Sequence, residues 1–237
     1  MRSDSQVAAL IAAASAPYRA AGRSAWYLAR GKLKGDPAFA AILARGLLAD
    51  RRRILDLGCG QGLLASWLLA AYAAYREGRW PQGWPPPPRP ERLTGIDFAP
   101  RELKWARTAL GERAHIVQGD IRHVDLVPAD AIVILDVLHY MDYAAQESVL
   151  GRVRAALAPR GVLLLRVADA AGGAGFVLSQ MVDRLVLLLR YQRFSRLSAR
   201  PAREWRALLE RLGFRTEALP MSQGTPFANV LLIGTLA

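Results

Sequence analysis

From Arg53 onward, short apolar runs alternate with longer stretches whose apolar residues recur at helical spacing. The short runs are ILDL (54–57), RLTGID (92–97), AHIVQ (114–118), AIVILD (131–136) and VLLLRV (162–167). Between them lie GLLASWLLAAYAAY, PRELKWARTAL and AQESVLGRVRAAL. Strands separated by amphipathic helices need crossover connections, and these build a parallel sheet with helices on its faces. After RPAREWRALLERLGF come two more strands, RTEAL and NVLLIGTLA (229–237), joined by the turn-rich PMSQGTPFA. A pair joined without a helix forms an antiparallel hairpin at the end of the sheet. Upstream, residues 4–48 read as helices punctuated by Pro17, Gly31, Gly35 and Pro37. The expectation is a helical cap over 1–50 and an α/β domain over 51–237. A proline-rich surface insertion, EGRWPQGWPPPPRPER (77–92), interrupts that domain.

The joint between the first strand and the next helix reads DLGCGQG. That is where a doubly wound fold turns backbone N–H groups toward a ligand. Gly58, Gly60 and Gly62 permit a tight turn and close approach to the main chain. The dinucleotide fingerprint G-x-G-x-x-G requires glycine at 63, where Leu63 stands, so a dehydrogenase is disfavoured. Asp56, two residues before the first glycine, opposes a pyrophosphate and suits an ammonium group. The pattern favours a zwitterionic nucleoside.

On these residues the chain resembles the class I S-adenosylmethionine-dependent methyltransferases, from about Arg51 to the C-terminus. The resemblance implies a Rossmann-like, mostly parallel seven-stranded sheet with an antiparallel C-terminal strand and N-terminal capping helices. It implies that Asp56 and the loop Gly58, Cys59, Gly60 and Gly62 hold the methionine end of S-adenosylmethionine. In GIDFAP, Asp97 would accept the ribose hydroxyls and Phe98 would pack on adenine. In VQGDIRHVD, Asp120 would take the adenine amino group, with Ile121 on the ring. In ADAIVILDVLHYMD, Asp130 begins the strand and Leu135 to Tyr140 pass the sulfonium and methyl. Asp97 lies further from the glycines than the roughly 20 residues usual for this fold class, and the proline-rich insertion supplies the excess.

Methyl transfer from a sulfonium is an in-line displacement, so the protein must align the acceptor and exclude water. A phenolic acceptor benefits from a base. The candidates near the fourth strand's end are His139, Tyr140 and Asp136, with His139 first because imidazole accepts a proton near neutral pH. His115 and His123 are less well placed. Asp136 and Asp169 end the fourth and fifth strands, as in the metal-assisted catechol methyltransferases. Ala170 replaces the asparagine those enzymes carry next, and three scattered histidines offer no ligand spacing, so no metal is expected. Cys59 fills a turn. The absence of Asn-Pro-Pro-Tyr or Asp-Pro-Pro-Tyr after the fourth strand, and of a Pro-Cys pair, disfavours adenine amines, glutamine amides and pyrimidine C5. A small-molecule acceptor remains, with O-methylation favoured.

The net charge is +12, with only 3 lysines among 32 basic residues. It suits anionic partners, and equally an arginine-rich surface with no partner at all. RGKLKGDPAF, LDVLHYMD, REWRALLERLGF and PMSQGTPFANVLL carry a weaker resemblance to methyltransferases of bacterial aryl polyene and polyketide-like pigment pathways. That resemblance implies an aromatic or acyl acceptor, free or held on an acidic acyl carrier protein. Residues 172–197 read as a glycine hinge followed by a basic amphipathic helix (176–197). This is a lid, a membrane-surface helix or an ordinary buried helix. The turn from Met221 to Ala228 is expected on the active face, and Arg30, Lys32 and Lys34 are candidates to meet an anionic acceptor. One cysteine, no apolar run of about 18 residues and a weak VAALIAAASAP as a leader point to the cytoplasm. The alternatives are an RNA methyltransferase using the arginines on phosphates, and a non-catalytic cofactor-binding or assembly protein.

Overall fold

The computed structural model describes residues 2–170, 198–222 and 228–236. The expected lid at 172–197 lies outside these residues, as does most of the turn between Met221 and Ala228. Seven strands form one mixed sheet: β1 (Arg53–Leu57), β2 (Arg92–Asp97), β3 (His115–Gln118), β4 (Ala129–Leu135), β5 (Leu157–Ala168), β6 (Phe214–Pro220) and β7 (Asn229–Leu236). Their order is β3-β2-β1-β4-β5-β7-β6. This is the Rossmann-like, mostly parallel sheet that the resemblance implied. The chain divides into two compact units, Met1–Ala131 and Ile132–Ala237.

In the first unit, β1 and β3 both run parallel to β2, with Asp56 beside Gly95 and Asp97 beside Gln118. Gly95 has a packing reason. A Cβ there would stand 2.8 Å from the Cys59 sulfur and 3.2 Å from Ile116 Cδ1. Helix α1 (Arg2–Ser15) leads through a short 3-10 turn at Ala16–Ala21 into α2 (Arg23–Gly35). Helix α2 runs straight through Gly31. A single glycine with no neighbour around it costs a helix only about 1 kcal/mol. The break falls instead at Asp36, whose carboxylate accepts from Ala38 N at 3.1 Å to start α3 (Pro37–Ala44). Helix α4 (Leu63–Arg76) buries Trp67, and the indole donates to Phe39 O at 2.8 Å. Helix α5 (Pro100–Leu110) follows β2.

The proline-rich stretch is extended, as proline requires, but it is not a free surface loop. Pro81, Pro87 and Pro88 are buried. Gln6 of α1 donates to Trp80 O at 2.9 Å, and Trp80 donates to Pro85 O at 3.1 Å while packing edge-on against Tyr75 and Trp84. The tryptophans flanking the prolines supply the apolar surface that fixes the stretch.

In the second unit, Asp142 caps α6 (Tyr143–Ala156) by accepting from Ala145 N at 2.8 Å. Strand β5 follows directly, and its inner residues Leu163, Leu164 and Leu165 are fully buried. Strand β7 pairs antiparallel with both β5 and β6, and α7 (Ala202–Arg211) precedes β6. Among the described residues no helix is long and apolar enough to cross a membrane.

Candidate functional site

The glycine joint is left-handed at all three glycines, with φ of 78°, 53° and 74° at Gly58, Gly60 and Gly62. Its amides are used differently from the sequence expectation. Gly58 N and Cys59 N donate to Ile96 O at 2.8 and 3.1 Å, Gly60 N donates to an Asp97 carboxylate oxygen at 2.8 Å, and Gly62 N donates to Cys59 O at 2.9 Å. The first three lock the loop onto the end of β2 and the fourth closes the turn, so a ligand cannot use these four. The loop offers bare main chain instead. Nothing lies within 4 Å of a Cβ built on Gly60, whereas one on Gly62 would strike Leu110 Cδ1 at 2.7 Å. Gly60 keeps a face open, and Gly62 lets α5 pack. Cys59 is buried, and burial, then the charges of Asp56 and Asp97, push its thiol well above the ordinary value. A neutral buried thiol fills a turn and is a poor nucleophile.

Two carboxylates stand beside this loop. Asp97 is only 8% exposed; one oxygen accepts from Gly60 N and the other from Ala99 N at 2.9 Å. Asp56 is equally buried and is pushed up to about 7, first by burial and then by the negative charge of Asp97, with Lys32 of α2 acting the other way. A carboxylate can accept about four hydrogen bonds, so Asp97 retains acceptor capacity. Two nearly dry carboxylates beside an open stretch of backbone fit a ligand carrying an ammonium group and hydroxyls. These are the groups of S-adenosylmethionine that the resemblance would place at them.

The raised value sets a pH dependence. Unfolded Asp56 ionises near 3.8 and folded Asp56 near 7, so the folded state holds the extra proton in between. The stability contributed by this group therefore falls as pH rises from about 4 to about 7 and is flat above. An ammonium group binds the ionised form. On the proposal that Asp56 holds the ammonium, affinity for S-adenosylmethionine, measured by titration calorimetry, should be about fivefold weaker at pH 6 than at pH 7, a range in which the ligand's own amino group stays largely protonated. Asp56→Asn should remove that slope and raise the thermal midpoint of the ligand-free protein at pH 8.

The other first-unit residues are distributed unevenly. Phe98, next to Asp97, is 56% exposed although large and apolar, and Ile121 is buried. The Asp120 carboxylate is bound by Arg122, whose Nε lies 3.0 and 2.9 Å from its two oxygens, and this hydrogen bonding holds it below the usual range. Asp130 anchors the start of β1, accepting from Arg53 N at 2.9 Å and from the Arg53 guanidinium at 2.6 Å.

In the second unit, β4 ends at Leu135, and Asp136 takes a left-handed φ of 59°. Both its oxygens are engaged by Arg166 of β5, Nε at 2.9 Å and Nη2 alongside. Arg166 is 3% exposed, and the sequence reading passed over it. An arginine inside the apolar run VLLLRV was the available signal, because a buried cation requires a partner. His139 and Tyr140 form a 3-10 turn, Leu138–Tyr140, with ring centroids 4.1 Å apart. His139 is buried, and its carbonyl accepts from Ser198 N at 2.9 Å. Asp169 accepts from Ala202 N at 3.0 Å, at the start of α7. Among the described residues no three of His, Cys, Asp and Glu are grouped to hold a metal.

The methyltransferase-domain family matches residues 29–219, which takes in the glycine joint, GIDFAP and the fourth strand. The chain belongs to the class I S-adenosylmethionine-dependent methyltransferases. The chain is 34% identical over 171 residues to the carboxy-S-adenosyl-L-methionine synthase of Chromohalobacter salexigens, covering 68% of the chain and 56% of that protein. It is 37% identical over 193 residues to the acetylserotonin O-methyltransferase of Mus musculus molossinus, covering 77% and 44%. The chain thus spans about half the length of these two curated relatives. An O-methyltransferase family protein from Burkholderia thailandensis has the same fold, with a TM-score of 0.64 at 16% identity, over 92% of this chain and 62% of that one.

Proposed function

We propose that this methyltransferase carries a methyl group from S-adenosylmethionine to an oxygen of a small aromatic or acyl acceptor. The observation that carries the reading is the buried pair Asp56 and Asp97 beside the open main chain at Gly60. S-adenosylmethionine supplies, when bound, a methyl group on a positively charged sulfur. Asp56 holds the ammonium, Asp97 the ribose hydroxyls, and Phe98 and Ile121 flank the base. The main chain at 58–62 gives the ligand a surface free of side chains at Gly60. Asp120, held by Arg122, is the proposed acceptor for the adenine amino group, with its carboxylate fixed in the ionised form.

In the second unit, His139 is the proposed base for the acceptor hydroxyl, and Tyr140 packs on its ring. Asp136 is assigned to positioning, since Arg166 occupies both of its oxygens. Oxygen as the acceptor atom is supported by the likeness to the acetylserotonin O-methyltransferase. The likeness to a carboxy-S-adenosyl-L-methionine synthase shows that kinship alone does not fix the reaction. A carrier-bound acceptor is supported by the +12 charge, which would attract an acidic carrier.

The test is incorporation of label from methyl-labelled S-adenosylmethionine in an extract of the host, separated into organic-soluble, protein and RNA fractions. Label in the organic or carrier-protein fraction is the expected result. Label in RNA would assign the arginines to phosphate contacts instead, and a KM unmoved by ionic strength would remove the electrostatic argument for a carrier.

A further inference from the structure

The turn that carries His139 is held by one buried side chain. Gln146, on the first turns of α6, has no exposed surface. Its Nε2 lies 3.1 Å from Leu138 O, 3.0 Å from Met141 O and 2.6 Å from Ser198 O. Two N–H groups thus serve three carbonyls, a shared arrangement common where chain ends converge. Together with Ser198 N on His139 O, these bonds engage the carbonyls of Leu138, His139 and Met141. The backbone on both sides of the histidine is tied to α6 and to the segment entering α7.

The other end of the amide is equally fixed. Gln146 Oε1 accepts from Arg200 Nε at 2.9 Å. Arg200 is itself buried, reaches Glu147 Oε1 at 2.8 Å, and lies over the ring of Tyr143 at 4.3 Å. A guanidinium only donates, so it forces the carbonyl oxygen of Gln146 toward itself and turns the NH2 group toward the loop. An amide flip would set donor against donor. Burying an amide and a guanidinium is costly, and an apolar residue of similar volume would fill the site without that cost. What an apolar residue cannot do is bond three carbonyls converging on one turn.

The geometry points to Gln146, oriented by Arg200, as the positioning residue that sets the rotamer and environment of His139. This inference rests on the reading of His139 as the base only for its effect on turnover; the clamp itself is independent of it. The chain has three histidines, so His139 can be followed by imidazole Cε1 signals in NMR, assigned with His139→Gln. In Gln146→Met the His139 signal should shift or split and its titration midpoint move, while His115 and His123 stay in place. S-adenosylmethionine affinity by calorimetry should be unchanged, and label incorporation in host extract should fall by about 10- to 100-fold. Arg200→Lys keeps a cation but loses the planar fork, so it should move the same signal in the same direction by less. It also serves as the test if Gln146→Met does not fold. An unmoved His139 signal in either folded variant overturns the inference. If the signal moves while His139→Gln turns over like the wild type, the clamp stands and the assignment of His139 as base falls.

Discussion

Asp97→Ala is expected to weaken S-adenosylmethionine binding by at least about 100-fold. A hydrogen bond to a charged group contributes about 1.5–3 kcal/mol, and Asp97 is assigned two hydroxyls of the ligand. The substitution also removes the acceptor for Gly60 N and for Ala99 N. The glycine loop then loses one of its three ties to β2, the other two being the bonds of Gly58 N and Cys59 N to Ile96 O, and two buried or half-buried donors lose their partners, at about 1–3 kcal/mol each. Both losses act on binding, and they can be separated. Asp97→Asn retains one oxygen for Ala99 N but must present its NH2 group toward Gly60 N. It should lose less stability than Asp97→Ala, since only the Gly60 amide is left without an acceptor, and still bind the cofactor poorly. Calorimetry paired with a thermal melt distinguishes the cases. Wild-type affinity in a folded Asp97→Ala would confine Asp97 to holding the loop and remove the central support for the proposed cofactor site.

Arg166→Met should produce the largest loss of stability. The guanidinium is almost wholly buried in β5, and its partner Asp136 is 29% exposed at the side chain. Deleting the cation leaves a half-buried carboxylate on a residue already in a left-handed conformation. Removing one member of a buried pair costs about 3–5 kcal/mol, and the partial exposure of Asp136 favours the lower end. For a chain of this size that lowers the thermal midpoint by roughly 6–12 °C. The double variant Asp136→Asn/Arg166→Met should recover most of the loss, because asparagine tolerates positive φ and carries no charge to strand. If Arg166→Met melts within about 2 °C of the wild type, the pair is energetically neutral.

The alternation of apolar runs located every strand, because a residue spacing of two or of 3.6 is a local property of the chain. DLGCGQG and GIDFAP were legible for the same reason: a left-handed turn demands glycine wherever it occurs, and all three glycines have positive φ. The identity of the carboxylates as candidates was also visible, since Asp56 is the last residue but one of β1 and Asp97 ends β2. Less legible was anything that depended on which groups meet. The loop amides read as ligand donors, but Ile96 O and Asp97 occupy those of Gly58, Cys59 and Gly60. The proline-rich stretch read as a surface insertion because its anchors, Gln6 and the surrounding tryptophans, act over up to 74 positions in sequence. Arg166 and Gln146 carried only the weak signal of a polar residue within an apolar pattern.

Sequence alone determined the sheet, the glycine joint and the family, since these follow from backbone conformation and from residue order along one chain. Tertiary structure decided the chemistry of the groups at the joint. Asp56 reaches a value of about 7 only because folding removes water and brings the Asp97 charge beside it. Cys59 becomes inert by the same burial, and Asp136 becomes a partner for Arg166 only through the packing of β4 and β5 in the second unit. Desolvation and charge proximity are sums over neighbours from distant parts of the chain, so no local pattern encodes them.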